Sequence, residues 1–251
     1  MKYMGSKNRI AKYIIPIILK DRKPNQWYVE PFVGGCNVID KVSGSRIGND
    51  KNEYVIALFK ALQKGWMPPL FVSEEEYNAI KNNINEYDKE LVGYVGFNSY
   101  GGKFFRGYRR DNDGKRDYWK EHFNNLMKQL PKTKDVVFNC GDYSELAIPE
   151  NSIIYCDIPY GDTEKYKVNG KYEKFDYDAF FEWVRTKAKE GHDVYFSEYN
   201  APSDFYAVWE QKITSNLTNN DKNKFATERL FSLKPFHSFE KTERVRGLFL
   251  F

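Results

Sequence analysis

The chain has 251 residues, 41% hydrophobic and 17% aromatic, which suits one large α/β domain with an insertion and excludes a chain dominated by disorder. Lys and Arg number 39 against 35 Asp and Glu, so net charge alone neither demands nor excludes a polyanionic partner; only clustering would create a usable field. Cys36, Cys140 and Cys156 are odd in number and lack metal-ligand spacing, so they read as buried free thiols of a reducing cytosol, and three histidines make a histidine-based metal centre improbable.

The N-terminal stretch "MKYMGSKNRIAKYIIPIILK" is apolar but broken by Lys, Arg and Pro, which fits neither a signal peptide nor a membrane span and sets the expectation of a soluble, cytoplasmic protein. Short runs rich in Val, Ile, Tyr and Phe follow, each stopped by Gly, Asp or Asn. "WYVEPFVGG" (27–35) and "SRIGND" (45–50) are the first two, and they read as buried parallel strands. After the first come Gly34 and Gly35, which let a ligand approach the backbone, then a short helix. Asp50 ends the second strand, where a carboxylate can grip a ribose diol. An ordinary strand–helix turn explains the same pattern. The spacing departs from G-x-G-x-x-G and no G-x-x-x-x-G-K-S/T occurs, so a nicotinamide enzyme and phosphoryl transfer are disfavoured. A nucleoside-containing cofactor without a pyrophosphate fits best.

Residues 54–131 carry helical stretches at 54–64, 74–90 and 117–130 but few strand signals, and read as an insertion on the ligand face of the sheet. Within it, residues 96–118 hold six basic and three acidic side chains interleaved with aromatics, so most of the net charge of +4 sits in about a tenth of the chain. That pattern suits phosphate neutralisation and base contact, although a solvated charged turn would look the same. Asp113–Gly114 is a turn signal that predicts a hairpin presenting Arg109 and Arg110 on one side.

"DVVFNCGD" (135–142), "SIIYCD" (152–157) and "DVYFSEYN" (193–200) supply three more strands, and "FDYDAFFEWVRTKAKEGH" (175–192) a helix with an apolar face stopped by Gly191. Strand, helix, strand in that order predicts a doubly wound, mostly parallel α/β sheet, with 1–53 and 132–251 forming the catalytic domain around the insertion. "VWEQKI" and "VRGLFLF" could add edge strands. The polar, turn-rich segment 214–231 reads as a surface loop, or as one that closes over a ligand.

The most informative stretch is "IIYCDIPYGD" (153–162). An exocyclic aromatic amine is a poor nucleophile because its lone pair is delocalised, and acceptors on its two hydrogens localise that pair. Asp157 supplies one acceptor and the carbonyl of Ile158 another. Pro159 holds Ile158 extended, and Tyr160 offers a flat face for a base. A strand ending in an Asx turn beside a semi-buried Tyr160 is the alternative.

Taken in order, these motifs resemble the Dam-like adenine-specific DNA methyltransferases, many of them phage-encoded, and the resemblance covers nearly the whole chain. "KYMGSKNRI" resembles the family's N-terminal segment, which implies that Tyr3, Gly5 and Lys7 contact the methionine end of S-adenosylmethionine. "VEPFVGGCNV" resembles its glycine-rich cofactor loop (Glu30, Pro31, Phe32, Gly34, Gly35), "GND" the ribose-binding turn at Asp50, and "FNCGDY" the segment beside the cofactor's adenine, with Asn139 and Cys140. "DIPY" resembles the D-P-P-Y tetrapeptide, making Asp157, Ile158, Pro159 and Tyr160 the implied catalytic set, with Asp157 also beside the cofactor. "SYGGKFFRGYRR" and "SEYNAP" resemble the phage branch.

The resemblance implies a Rossmann-like methyltransferase that flips an adenine out of duplex DNA and methylates its amine, using S-adenosylmethionine, giving S-adenosylhomocysteine and needing no metal. It implies DNA contacts by Asn98, Tyr100, Lys103, Arg106, Arg109 and Arg110, a monomer as the favoured state, and a bacterial or phage-infected cytoplasm. Ile158 departs from the family's proline: the carbonyl is kept and the ring's restriction of φ is lost. A weakened or silent DNA-binding descendant, and methylation of cytosine or RNA amines, are the alternative readings.

Overall fold

A computed structural model describes residues 1–111, 113–159, 166–168, 171–173, 175–214 and 225–233. In chain order the strands are β1 (Tyr28–Glu30), β2 (Arg46–Asp50), β3 (Val136–Cys140), β4 (Ile153–Asp157), β5 (Tyr166–Val168), β6 (Lys171–Glu173), β7 (Asp193–Glu198), β8 (Tyr206–Thr214) and β9 (Phe225–Ser232). Seven of them form one sheet in the order β3-β2-β1-β4-β7-β9-β8, while β5 and β6 pair antiparallel with each other. From β3 to β7 the neighbours are parallel, and β9 runs antiparallel to both β7 and β8. The sheet is thus the doubly wound, mostly parallel, Rossmann-like sheet that the sequence predicts. Chain order runs outward in opposite directions from β1 and β4, so the crevice beyond their carboxyl ends is the topological switch point where such sheets bind ligands.

Alternation along the strands builds two cores. Tyr28, Ile153 and Tyr155 face one, Val29, Ile154 and Cys156 the other. The first is covered by α1 (Ala11–Ile18), α2 (Glu53–Gln63), α3 (Glu74–Asn82), α4 (Lys89–Phe97) and α5 (Tyr118–Thr133), and the second by α6 (Tyr177–Lys189). Residues 54–131 share the first core with the sheet: Val55, Phe59 and Leu126 belong to the same cluster as Val136 and Phe138. Gln63 ties the layers together, its Nε2 donating to the carbonyls of Thr133, Lys134 and Val136 at 2.8–3.1 Å. The starts of four helices follow from their caps, since Asn52, Ser73, Asp117 and Asp176 each accept from a first-turn amide.

Several expectations are corrected. The helix predicted over 74–90 is two helices, because Asn83 leaves helical backbone (φ −131°, ψ 45°) and a 3-10 turn intervenes, in keeping with the weak helix propensity of asparagine. The loop predicted over 214–231 holds a strand: 215–224 and "VRGLFLF" lie outside the described residues, but Phe225–Ser232 is β9, inserted between β7 and β8. "VWEQKI" does lie in an edge strand, β8. Cys36 and Cys156 are buried free thiols, whereas Cys140 is exposed at the end of the edge strand β3. No described helix is long and apolar enough to cross a membrane.

Candidate active site

The glycine-rich loop after β1 is clamped from two sides. Gly34 has φ +45°, and a Cβ on Gly34 or Gly35 would stand only 2.7 or 2.6 Å from the Tyr3 side chain, so only glycine allows this approach. Tyr3 is itself wedged against Phe97 (ring centroids 5.1 Å) and under Gly102, whose carbonyl accepts from Met4 N at 3.2 Å. From below, Gln129 of α5 donates to the carbonyls of Gly35 and Cys36 at 2.9 and 3.0 Å and to Asp40 Oδ2 at 3.1 Å. Sequence reasoning missed Gln129. Its signal was a polar residue in the buried stripe Trp119, His122, Leu126, Gln129 and Thr133.

At the end of β2, Asp50 Oδ2 accepts from Gly34 N at 2.9 Å and Oδ1 from Asn52 N at 2.8 Å. Burial pushes its carboxyl up to about 6, opposed by those two amides. Asn49 donates to the carbonyls of Pro31 and Gly141, both at 3.0 Å, and Asn139 and Cys140 lie opposite Asn49 and Asp50 in the ladder. The glycine loop, the Asp50 turn and the Asn139–Cys140 segment therefore meet at one place. Phe32 turns to the other core, against Tyr143 (5.0 Å) and Phe180 (6.1 Å). Glu30 is buried and accepts from Tyr28 Oη at 2.8 Å. Burial, with the Asp157 charge adding to it, pushes the Glu30 carboxyl well above the usual carboxylate range, while the Tyr28 hydroxyl opposes that shift.

Asp157 ends β4, next to β1. Lys7, on the 3-10 turn Lys7–Arg9, reaches it with Nζ 2.7 Å from Oδ1, and Nζ also lies 3.2 Å from the Gly5 carbonyl and 3.6 Å from Glu228 Oε1. Lys7 is only 7% exposed. Burial pulls its ammonium down, but the two carboxylates outweigh burial and raise it, so it stays charged. Burial raises Asp157, and Lys7 opposes that shift. Glu228 falls in the segment expected to be a loop, and alternation in "TERLFS" was its only sequence signal.

The Ile158 side chain is 3% exposed and joins the second core with Phe180, Phe181 and Phe196. Tyr177 Oη donates to the Pro159 carbonyl. Tyr160 lies outside the described residues. Beside Tyr177 a shallow cavity of about 300 Å³ opens, lined by Tyr177, Phe181, Glu198, Asn200, Ala201 and Pro202. Most of the "SEYNAP" stretch therefore borders the end of β4. Among the described residues no group of three or more His, Cys, Asp or Glu side chains is gathered as metal ligands would be.

The six residues expected at DNA divide into two sets. Tyr100, Arg106 and Arg110 are exposed and Lys103 half-buried, whereas Asn98 and Arg109 are buried and paired, Arg109 Nη1 donating to Asn98 Oδ1 at 3.2 Å. Arg109 also stacks over Tyr118 at 3.8 Å, and Arg110 pairs with Glu74. The hairpin predicted at Asp113–Gly114 is absent among the described residues. Asp111 instead gathers the amides of Asp113 (3.3 Å) and Arg116 (2.8 Å) into an Asx-type turn, so Arg109 and Arg110 do not share a displayed face.

Comparison with known proteins gives a family and a number of structural likenesses. The family model for D12 class N6 adenine-specific DNA methyltransferases matches residues 3–225. A solved structure of SMU.472, described as a methyltransferase complexed with SAH, aligns with 11% identity and a TM-score of 0.38. The alignment covers 92% of this chain and 53% of that one, so this chain spans about half the length of that protein. A search of the curated proteins returns no match.

Proposed function

The chain belongs to the D12 class N6 adenine-specific DNA methyltransferase family, and from that premise we propose that its crevice binds S-adenosylmethionine and presents Asp157 to an adenine flipped from duplex DNA. The observation that carries this reading is the convergence at the switch point of the glycine loop, Asp50 and the Lys7–Asp157 pair. The donor set suits the cofactor. An ionised carboxylate offers about four acceptor sites, and the two amides on Asp50 leave capacity for a ribose diol. Tyr3, Gly5, Lys7, Gly34 and Gly35 would line the methionine end, with Asn139 and Cys140 beside the adenine.

When bound, the cofactor supplies a methyl group on a sulfonium, already a good leaving group, so the protein's task is alignment. Asp157 accepts one hydrogen of the amine and the Ile158 carbonyl the other, which leaves the lone pair facing the donor. Asp157 is also the nearest acceptor for the proton that the amine sheds. Pro159 keeps Ile158 extended, and burial of the Ile158 side chain anchors the carbonyl in place of a proline ring. The cavity beside Tyr177 would take the flipped base, with Tyr160 stacking on it. Tyr100, Lys103 and Arg106 would meet the phosphates, making 54–131 the target-recognition part. A DNA substrate supports a cytoplasmic setting, and a monomer is the acting state we propose.

Asp157→Ala tests the assignment. The variant is expected to bind S-adenosylmethionine in calorimetry while transferring no labelled methyl to duplex DNA. Transfer at the parent rate would remove Asp157 from the mechanism.

A further inference from the structure

The sheet carries one carboxylate more at this site than amine recognition needs. β4 sends Ile153, Tyr155 and, by the same alternation, Asp157 to the first core, and β9 sends Leu230 there, with Glu228 two residues before it on the same face. Ser197 stands opposite Asp157 on one side and Leu230 on the other, so Glu228 sits one step further towards the crevice. Both carboxylates point at one cation, Lys7. The groups facing that ammonium include Asp157 on β4, Glu228 on β9, Tyr199 just past β7 and the Gly5 carbonyl. Glu30 is not among them, since it is spent on Tyr28.

As it stands, Lys7 is hydrogen-bonded to Asp157 and merely near Glu228, at 2.7 against 3.6 Å. A carboxylate neutralised by a short lysine contact is a poorer acceptor for an amine hydrogen. A buried ammonium that lost its only counter-ion would in turn be strongly disfavoured. Two carboxylates around one lysine resolve the conflict. We propose that Glu228 is a positioning residue that draws Lys7 off Asp157 as the substrate amine arrives, freeing Asp157 to accept from that amine while Lys7 stays paired. Glu228 touches no reacting atom, and its role rests on the assignment of Asp157 as the amine acceptor.

Glu228→Gln and Glu228→Asp in the full chain test this, with three readouts: single-turnover methyl transfer, cofactor affinity by calorimetry, and titration of the Lys7 side chain by NMR without cofactor. The Gln variant should lose roughly tenfold or more in transfer rate while cofactor affinity stays within about threefold, and the Asp variant should recover most of the rate. Lys7 should titrate at lower pH in Glu228→Gln than in the parent, because one carboxylate that held its proton is gone. A Gln variant at the parent rate, an Asp variant as slow as the Gln variant, or an unmoved Lys7 titration overturns the proposal. A parent that transfers no methyl defeats the functional reading instead, and the Lys7 titration then still decides whether Glu228 is its counter-ion.

Discussion

Asp50 gives the site a pH dependence of its own. Burial raises its folded carboxyl from 3.8 to about 6, so the group is ionised at neutral pH and protonated in mild acid. A ribose diol needs the ionised acceptor, so cofactor affinity should fall as pH drops through about 6 and level off above 7. Calorimetric titration across that range checks it, and Asp50→Asn should bind weakly at every pH and lose the inflection. For folding the sign is opposite to that of an ion-paired carboxylate: a raised value favours the folded state below 3.8, and this contribution is lost as pH rises through about 6.

Ile158 makes a second prediction at this scale. Its side chain is buried among aromatics, so Ile158→Ala should cost about 2–4 kcal/mol in chemical denaturation. Ile158→Pro should keep methyl transfer within a few-fold and lower the melting temperature; a large gain in rate would mean that isoleucine impairs catalysis. Asp157 and Asp50 were legible in the sequence because each closes an apolar run, and a strand's end is where a parallel sheet displays what it binds. Glu228 and Ile158 were not legible as packing partners, since their neighbours are distant in sequence.

Between elements, the glycine loop is held by a helix outside the motifs. Gln129 holds the carbonyls of Gly35 and Cys36 from α5. Gln129→Ala should leave those buried acceptors unpaired, costing about 1–3 kcal/mol of stability and weakening cofactor binding, while a surface change on the same helix such as Lys128→Ala should do neither. Denaturation and calorimetry on the two variants decide it. The five parallel strands and α6 were legible because buried strands and an amphipathic helix write their period into the sequence. β9 was not: eight residues behind a polar, turn-rich stretch acquire strand structure from the ladders with β7 and β8. The missing hairpin has a local cause, because Asp111 offers the backbone an Asx-type turn that competes with strand pairing.

Across the whole molecule, charge in the 96–118 stretch is partly spent internally. Arg109 is buried against Asn98 and Tyr118, Arg110 faces Glu74 and Arg116 faces Glu121, whereas Arg106 is exposed and is the better placed for a phosphate. Arg106→Ala should weaken duplex binding about equally for all sequences and reduce the salt slope by about one, whereas Arg109→Ala should act mainly through stability. Binding isotherms at several salt concentrations separate the two effects. The basic segment was legible from composition, but which of its arginines reach the surface was set by folding. The central claim, methylation of an adenine amine beside Asp157, is tested most directly by identifying the product. Duplex DNA is incubated with the protein and methyl-labelled S-adenosylmethionine, then digested to nucleosides. The account predicts that the label runs with N6-methyldeoxyadenosine and disappears with Asp157→Ala. Label in methylated cytosine, or none while the cofactor still binds, would contradict it.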